Sequence, residues 1–187
     1  MIKIDNVTFA YRGEKKNVLE NFSLNIKERE RVWLSGPSGR GKTTVLRLIL
    51  GLERAKSGSV KIKENAKISA VFQEDRLIPF ISVKKNVSLF SSDEKADQLL
   101  KLLGLEGWGE SMPDALSGGM KRRVAIARAL AKDFDILLLD EAFNGLDDEA
   151  LLNTCKIVND FTRDKTFILI SHRSKEAELL SAVKKEI

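Results

Sequence analysis

Two stretches of this chain offer bare backbone at the start of a predicted helix, and both suit an anion. The first, GPSGRGKT from Gly36 to Thr43, matches the spacing GxxxxGK[ST] between a predicted strand and a predicted helix. Its glycines let successive amide groups converge on phosphate oxygens, and the following helix adds the positive end of its dipole. Lys42 supplies a point charge for the outer phosphates, and the Thr43 hydroxyl can ligand Mg²⁺. The second stretch is LSGGM, where Ser117, Gly118 and Gly119 precede a helix. Two carboxylates, Asp140 and Glu141, end the apolar run ILLLDE. One can serve Mg²⁺ while its neighbour polarises an attacking water, although acids in that place also cap helices. The lone histidine, His172, follows FILIS at the carboxyl end of another predicted strand. Ligands of open α/β sheets collect at such ends.

These residues need a scaffold, and the hydrophobic pattern predicts one. IKIDNVTFAY and NFSLNI, separated by the polar turn RGEKKN, read as antiparallel strands. RVWLSG is a compact apolar strand, and the helix after it buries Val45, Leu46, Leu48, Ile49 and Leu52. GSVKIK and AKISAVFQ read as further strands, which makes the chain β-rich before residue 73. The pattern turns helical from about Ser82 to Leu130, with Val124, Ile126, Ala127 and Leu130 as one buried face. DILLLD and KTFILIS have the continuous apolar character of strands buried on both faces. A helix, DDEALLNTCKIVNDFT, lies between them, and another follows the second strand.

The totals exclude several function classes. A chain of 187 residues with 43% hydrophobic content can form one domain with a real core. The net charge of +5 comes with interleaved Lys and Glu and no basic run, so no nucleic-acid partner is expected. One cysteine, Cys155, allows no internal disulfide and no CxxC metal site; a small buried hydrophobe in a reducing cytoplasm is the expectation. No signal peptide opens the chain, and no apolar run approaches the roughly 18 residues needed to span a bilayer.

In its order of motifs the chain resembles the ATPase subunit of ABC transporters, the ATP-binding cassette, along nearly its whole length. Tyr11 in VTFAYRG matches the aromatic that stacks on adenine, and Gly36, Pro37, Ser38, Gly39, Arg40, Gly41, Lys42, Thr43 and Thr44 match the phosphate loop. Gln73 in VFQED matches the glutamine that reaches Mg²⁺ and the attacking water. LSGGM matches the family signature, ILLLDE the magnesium and base strand, NGLD ending at Asp147 the interface loop, and His172 the switch histidine.

The resemblance implies a P-loop NTPase core with a mostly parallel sheet, an N-terminal antiparallel β-subdomain and a helical subdomain inserted over about 82–130, all within one cassette domain 1–187. It implies ATP and Mg²⁺ as ligands, with Thr43, Gln73 and Asp140 toward the metal and Lys42, Gln73, Glu141 and His172 in catalysis. The family closes as a head-to-tail dimer, in which Ser117, Gly118, Gly119 and Asp147 serve the nucleotide held by the other subunit. The implied partners are a second ATPase subunit, an integral membrane permease and, for an importer, a solute-binding protein. The implied location is the cytoplasmic face of the membrane.

The sequence departs from the family pattern at Met120, where glutamine is usual, at Ala142 for proline, and at Arg173 for an acid. The family continues past the histidine through a helix, a strand pair and often a regulatory domain. Missing or vestigial β-structure, and no C-terminal regulatory domain, are therefore expected here. FQEDRLIPFISVKKNV is similar to the pattern in importers of nitrate, sulfonates and taurine. An ATPase of an export or lipoprotein-release system, or a non-transport ABC ATPase, is the alternative.

Overall fold

The computed structural model describes residues 1–14 and 16–187; Lys15, within the turn expected over 12–17, lies outside the described residues. The strands are β1 (Ile2–Phe9), β2 (Leu19–Ile26), β3 (Arg31–Ser35), β4 (Ser57–Ile62), β5 (Ile68–Val71), β6 (Ile136–Asp140), β7 (Thr166–Ile170) and β8 (Val183–Glu186). The helices are α1 (Lys42–Ile49), α2 (Val83–Ser88), α3 (Asp93–Leu102), α4 (Gly118–Ala131), α5 (Asp148–Phe161) and α6 (Ser174–Leu179), with a 3₁₀ turn at Pro113–Ala115.

The strands divide between an antiparallel sheet in the order β2-β1-β4 and a parallel sheet in the order β5-β6-β7-β3-β8. The antiparallel strands alternate: Ile2, Ile4 and Val7 are buried while Lys3 and Asp5 face outward. AKISAVFQ, read with the β-rich N-terminal portion, instead joins the parallel sheet as β5, because Ser69 and Val71 are buried and its backbone pairs with β6.

Strands β6 and β7 are buried along their whole lengths, as their apolar runs require. Alternate residues face different neighbours. Ile136, Leu138, Ile168 and Ile170 pack with Val45, Leu46 and Ile49 of α1 and with Ile2 and Ile4 of β1. Leu137, Leu139, Phe167 and Leu169 pack with Ile126 and Leu130 of α4 and with Leu151, Cys155 and Val158 of α5. The parallel sheet is therefore sandwiched between two cores, the phosphate-loop helix on one side and the signature helix on the other. The predicted face of α4 is buried as expected, with Val124, Ile126 and Ala127 each at 0% exposure.

One expectation fails, and one strand was not anticipated. Leu52 does not belong to the buried face of α1: the helix ends at Ile49, Gly51 turns the chain at φ +68°, and Leu52 is left 58% exposed. After α6 the chain forms a further strand, β8, parallel to β3 at the sheet edge. Its sequence VKKE hid it, since an edge strand carries charges where a central one cannot. Lys185 of β8 pairs with Glu30 at 2.6 Å and donates to the Asn25 carbonyl at 2.7 Å.

Candidate active site

The loop from Gly36 to Gly41 connects the end of β3 to α1, and its shape depends on residues without side chains. Gly39 and Gly41 hold φ of +78° and +90°, the left-handed region where a Cβ is strained. At Gly41 space also decides: a Cβ would lie 2.9 Å from both Leu19 Cδ2 and Val18 Cγ1. Gly41 is the N-cap of α1 and makes no side-chain cap, so the first amides of the helix stay available to an anion. The Lys42 ammonium lies across the loop, donating to the carbonyls of Gly36 at 2.7 Å and Pro37 at 2.9 Å.

The loop floors a cleft of about 420 Å³. Tyr11, Ser38, Gly39, Gly41 to Thr44, Gln73, Glu141 and His172 all line it. Arg40 and Tyr11 line an adjoining opening. The Tyr11 hydroxyl is 2.9 Å from Thr44 Oγ1, and its ring meets Phe9 edge to face at 4.9 Å. Tyr11 is thus fixed from two sides at the mouth of the cleft.

Beneath the cleft, Asp140 is 2% exposed, and its Oδ1 has no hydrogen-bond partner. Burial raises its carboxyl above the ordinary value; the Thr43 hydroxyl opposes this, the adjacent Glu141 charge adds to it, and Arg47 and Lys42 oppose it again. A buried carboxylate oxygen beside a hydroxyl is a donor set that fits a small hard cation. Among the described residues no group of three or more His, Cys, Asp or Glu side chains could hold a metal alone. A cation at Asp140 and Thr43 would complete its shell with phosphate oxygens and water.

Glu141 follows in a left-handed conformation, φ +50°. Its Oε1 lies 3.2 Å from His172 Nε2, and its Oε2 accepts from Asn144 Nδ2 at 2.6 Å. The backbone under His172 is anchored where Trp33 Nε1 donates to the Ser171 carbonyl at 3.0 Å.

The structure does not bring Ser117, Gly118, Gly119 or Asp147 into this cleft. Ser117 caps α4 by accepting from the Met120 amide at 3.3 Å, and Ser117 and Gly118 are exposed. Asp147 caps α5 by accepting from the Ala150 amide at 2.8 Å. The two loops touch each other, since a Cβ on Gly119 would lie 3.0 Å from the Gly145 carbonyl. Met120 packs its side chain against the core on the α4 side of the sheet.

Sequence reading missed Arg122 and Arg128. Arg122 is 8% exposed, donates to the carbonyls of Phe72 and Gln73, and pairs with Asp75 at 3.2 Å. Arg128 donates to the carbonyls of Asp75 and Arg76 at 3.0 and 2.8 Å. Together they fasten the Gln73 segment to the signature helix. The available signal was an arginine pair, Arg122 and Arg123, at the head of the buried apolar run of α4, where a charge needs partners.

Residues 19–144 match the family described as ABC transporter. Aliphatic sulfonates import ATP-binding protein SsuB of Bacillus subtilis (strain 168) is 38% identical over 193 residues, covering 96% of this chain and 76% of the relative. Among solved structures, a dimeric post-hydrolysis ATP-binding cassette, MJ0796, bound to ADP and Pi is 32% identical, with a TM-score of 0.88, covering 96% of this chain and 91% of that one. A bacterial Atm1-family ABC exporter with ATP bound has a TM-score of 0.86 at 27% identity, covering 94% of this chain and 35% of that one.

Proposed function

The chain belongs to the ABC transporter family, and from that premise we propose that it powers solute import by closing, with a second copy, over two shared ATP sites. It is an ATP-hydrolysing cassette. The observation that carries the dimeric reading is the separation of the two anion-binding stretches. The phosphate loop, Gln73, Glu141 and His172 share one cleft, while Ser117 to Gly119 lie outside it, with Ser117 and Gly118 exposed. A second copy placed head to tail would supply the missing loop, as in a dimeric cassette such as MJ0796.

In this reading the amides after Gly41 and the Lys42 ammonium bind the phosphates, and Tyr11 stacks on the base. Asp140 and Thr43 would hold Mg²⁺, with Gln73 toward it; the ion supplies charge neutralisation on the outer phosphates. Glu141 accepts a proton from the attacking water. His172 steadies the Glu141 carboxylate and faces the terminal phosphate. Ser117 and Gly119 cover that phosphate from the partner subunit. Asp147 stays with the interface loop.

Among the described residues no helix is long and apolar enough to cross a membrane; in this reading the solute path belongs to a permease. A groove lined by Leu50, Leu52, Phe72, Phe90 and Arg128 lies beside the Gln73 segment, and we assign it to the permease. Its half-exposed apolar side chains suit a protein contact. A sulfonate-type solute is supported by the relative's name and by the segment at 72–87. A solute-binding protein would then complete the system on the opposite face.

Mixing two inactive variants tests the shared sites. Ser117→Arg blocks the signature and Lys42→Ala blocks the phosphate loop. A heterodimer retains one intact composite site, so ATPase activity should reappear on mixing. No recovery at any ratio would rule out sharing between subunits.

A further inference from the structure

The Glu141 carboxylate is held by two side-chain partners, and one of them, Asn144, plays no part in the reading above. Its backbone is held left-handed at φ +50°, a conformation that costs a side-chain-bearing residue about 1–2 kcal/mol. Such strain persists only where the surroundings fix it. Here the Glu141 amide donates to the Ile170 carbonyl at 2.9 Å, and the next two residues, Ala142 and Phe143, are fully buried. The turn then closes when the Asn144 amide donates to the Glu141 carbonyl at 3.2 Å. Asn144 therefore touches Glu141 twice, once through the backbone and once through the 2.6 Å bond from Nδ2 to Oε2.

The two carboxylate oxygens have unlike partners. Oε1 faces His172 at 3.2 Å. Oε2 takes a charge-assisted bond from a neutral amide that cannot change its protonation state. Asn144 does not line the cleft; within this chain it reaches the cleft through Glu141.

We propose that Asn144 is the positioning residue for Glu141: its amide pins Oε2 and leaves Oε1, on the histidine side, to meet water. This rests on the assignment of Glu141 as the base. The terminal torsion of a glutamate is broad and only weakly set by its own rotamers, so a donor fixed on one oxygen can select the orientation of the carboxylate. Losing a charge-assisted bond of this kind corresponds to about a 10- to 100-fold change in rate.

Two substitutions separate donation from shape. Asn144→Ala removes the donor, and Asn144→Asp keeps the size and turn preference but sets an anion against Oε2. Positioning by donation predicts that kcat falls about 10- to 100-fold in Asn144→Ala and at least as far in Asn144→Asp. ATP affinity and the unfolding midpoint should stay at the parent values. In a Glu141→Gln background, Asn144→Ala should lower the residual rate no further. The side-chain amide resonances of Asn144 should also move in Glu141→Ala protein, a readout independent of turnover. Full activity in Asn144→Asp would overturn the proposal, as would a fall in kcat that merely tracks a fall in stability or ATP binding. Undiminished turnover in Glu141→Gln alone would instead remove the base assignment, and the proposal with it.

Discussion

Replacing Gly41 by alanine puts one methyl group into the phosphate loop, and the structure lets its cost be worked out. The backbone there stands at φ +90°, where a Cβ costs about 1–2 kcal/mol. The same Cβ would lie 2.9 Å from Val18 Cγ1 and Leu19 Cδ2, and overpacking of that kind costs about 1–3 kcal/mol. Together the two terms predict a destabilisation of about 2–5 kcal/mol. Any relief by rotation of the loop would re-aim the first amides of α1, weakening ATP binding by about 10-fold or more for each amide that no longer reaches a phosphate oxygen. Gly118→Ala is the matched control for stability: it sits in the first turn of α4 with nothing within 4 Å of its Cβ, and gains up to ~1 kcal/mol from helix propensity. Urea unfolding followed by fluorescence measures both, with unchanged slope as the sign that only stability moved. Adding Val18→Ala to Gly41→Ala should recover part of the crowding and none of the backbone strain. A midpoint and an ATP affinity both unchanged in Gly41→Ala would refute the claim that this loop is shaped by glycine.

Other outcomes follow from the same geometry. Glu141→Gln should bind ATP as tightly as the parent and lose about 10²- to 10⁴-fold in turnover, which is the range for a general base; phosphate release measured beside nucleotide binding checks it. Glu176 is 0% exposed, neither carboxylate oxygen has a hydrogen-bond partner, and burial raises its carboxyl above the ordinary 4.5, with Ser171 and Arg173 opposing. Because its folded pKa is raised, the folded state holds a proton that the unfolded chain releases. Its contribution is therefore complete below pH 4.5 and is lost as pH rises through the raised value. Glu176→Gln should remove that dependence, so that the variant gains stability relative to the parent as pH rises. A constant difference across the range would count against the burial argument.

Much of this was legible because the signals were local. ILLLD and TFILI could only be strands buried on both faces, and GPSGRGKT carries its own geometry in its glycines. The helical face of α4 followed from apolar spacing. What escaped needed distance or context. Strand β8 reads as a charged tail until β3 is placed beside it, and Leu52 continues the spacing of α1 although the helix has already ended at Ile49 and Gly51 has turned the chain. Arg122 and Arg128 find their acceptors 49 to 53 residues away along the chain, which no local pattern encodes. The bond from Asn144 to Glu141 spans only three residues, yet it depends on the left-handed turn at a glutamate, a conformation that the residue type argues against. Cys155 met its expectation as a buried hydrophobe, with its thiol pushed up to about 12 by burial.

The alternation along β6 and β7 makes the parallel sheet a partition with a readable parity. A large-to-small change at Leu138 or Ile168 opens space under α1 and slackens the grip on nucleotide phosphate; the same change one position along, at Leu137 or Leu169, opens space under α4 and α5. In the proposed dimer, neighbouring codons would report to opposite half-sites: one to the phosphate loop within this chain, the other to the signature loop offered to the second copy. A survey of substitutions along these two strands would sort into binding defects and closure defects by odd and even position.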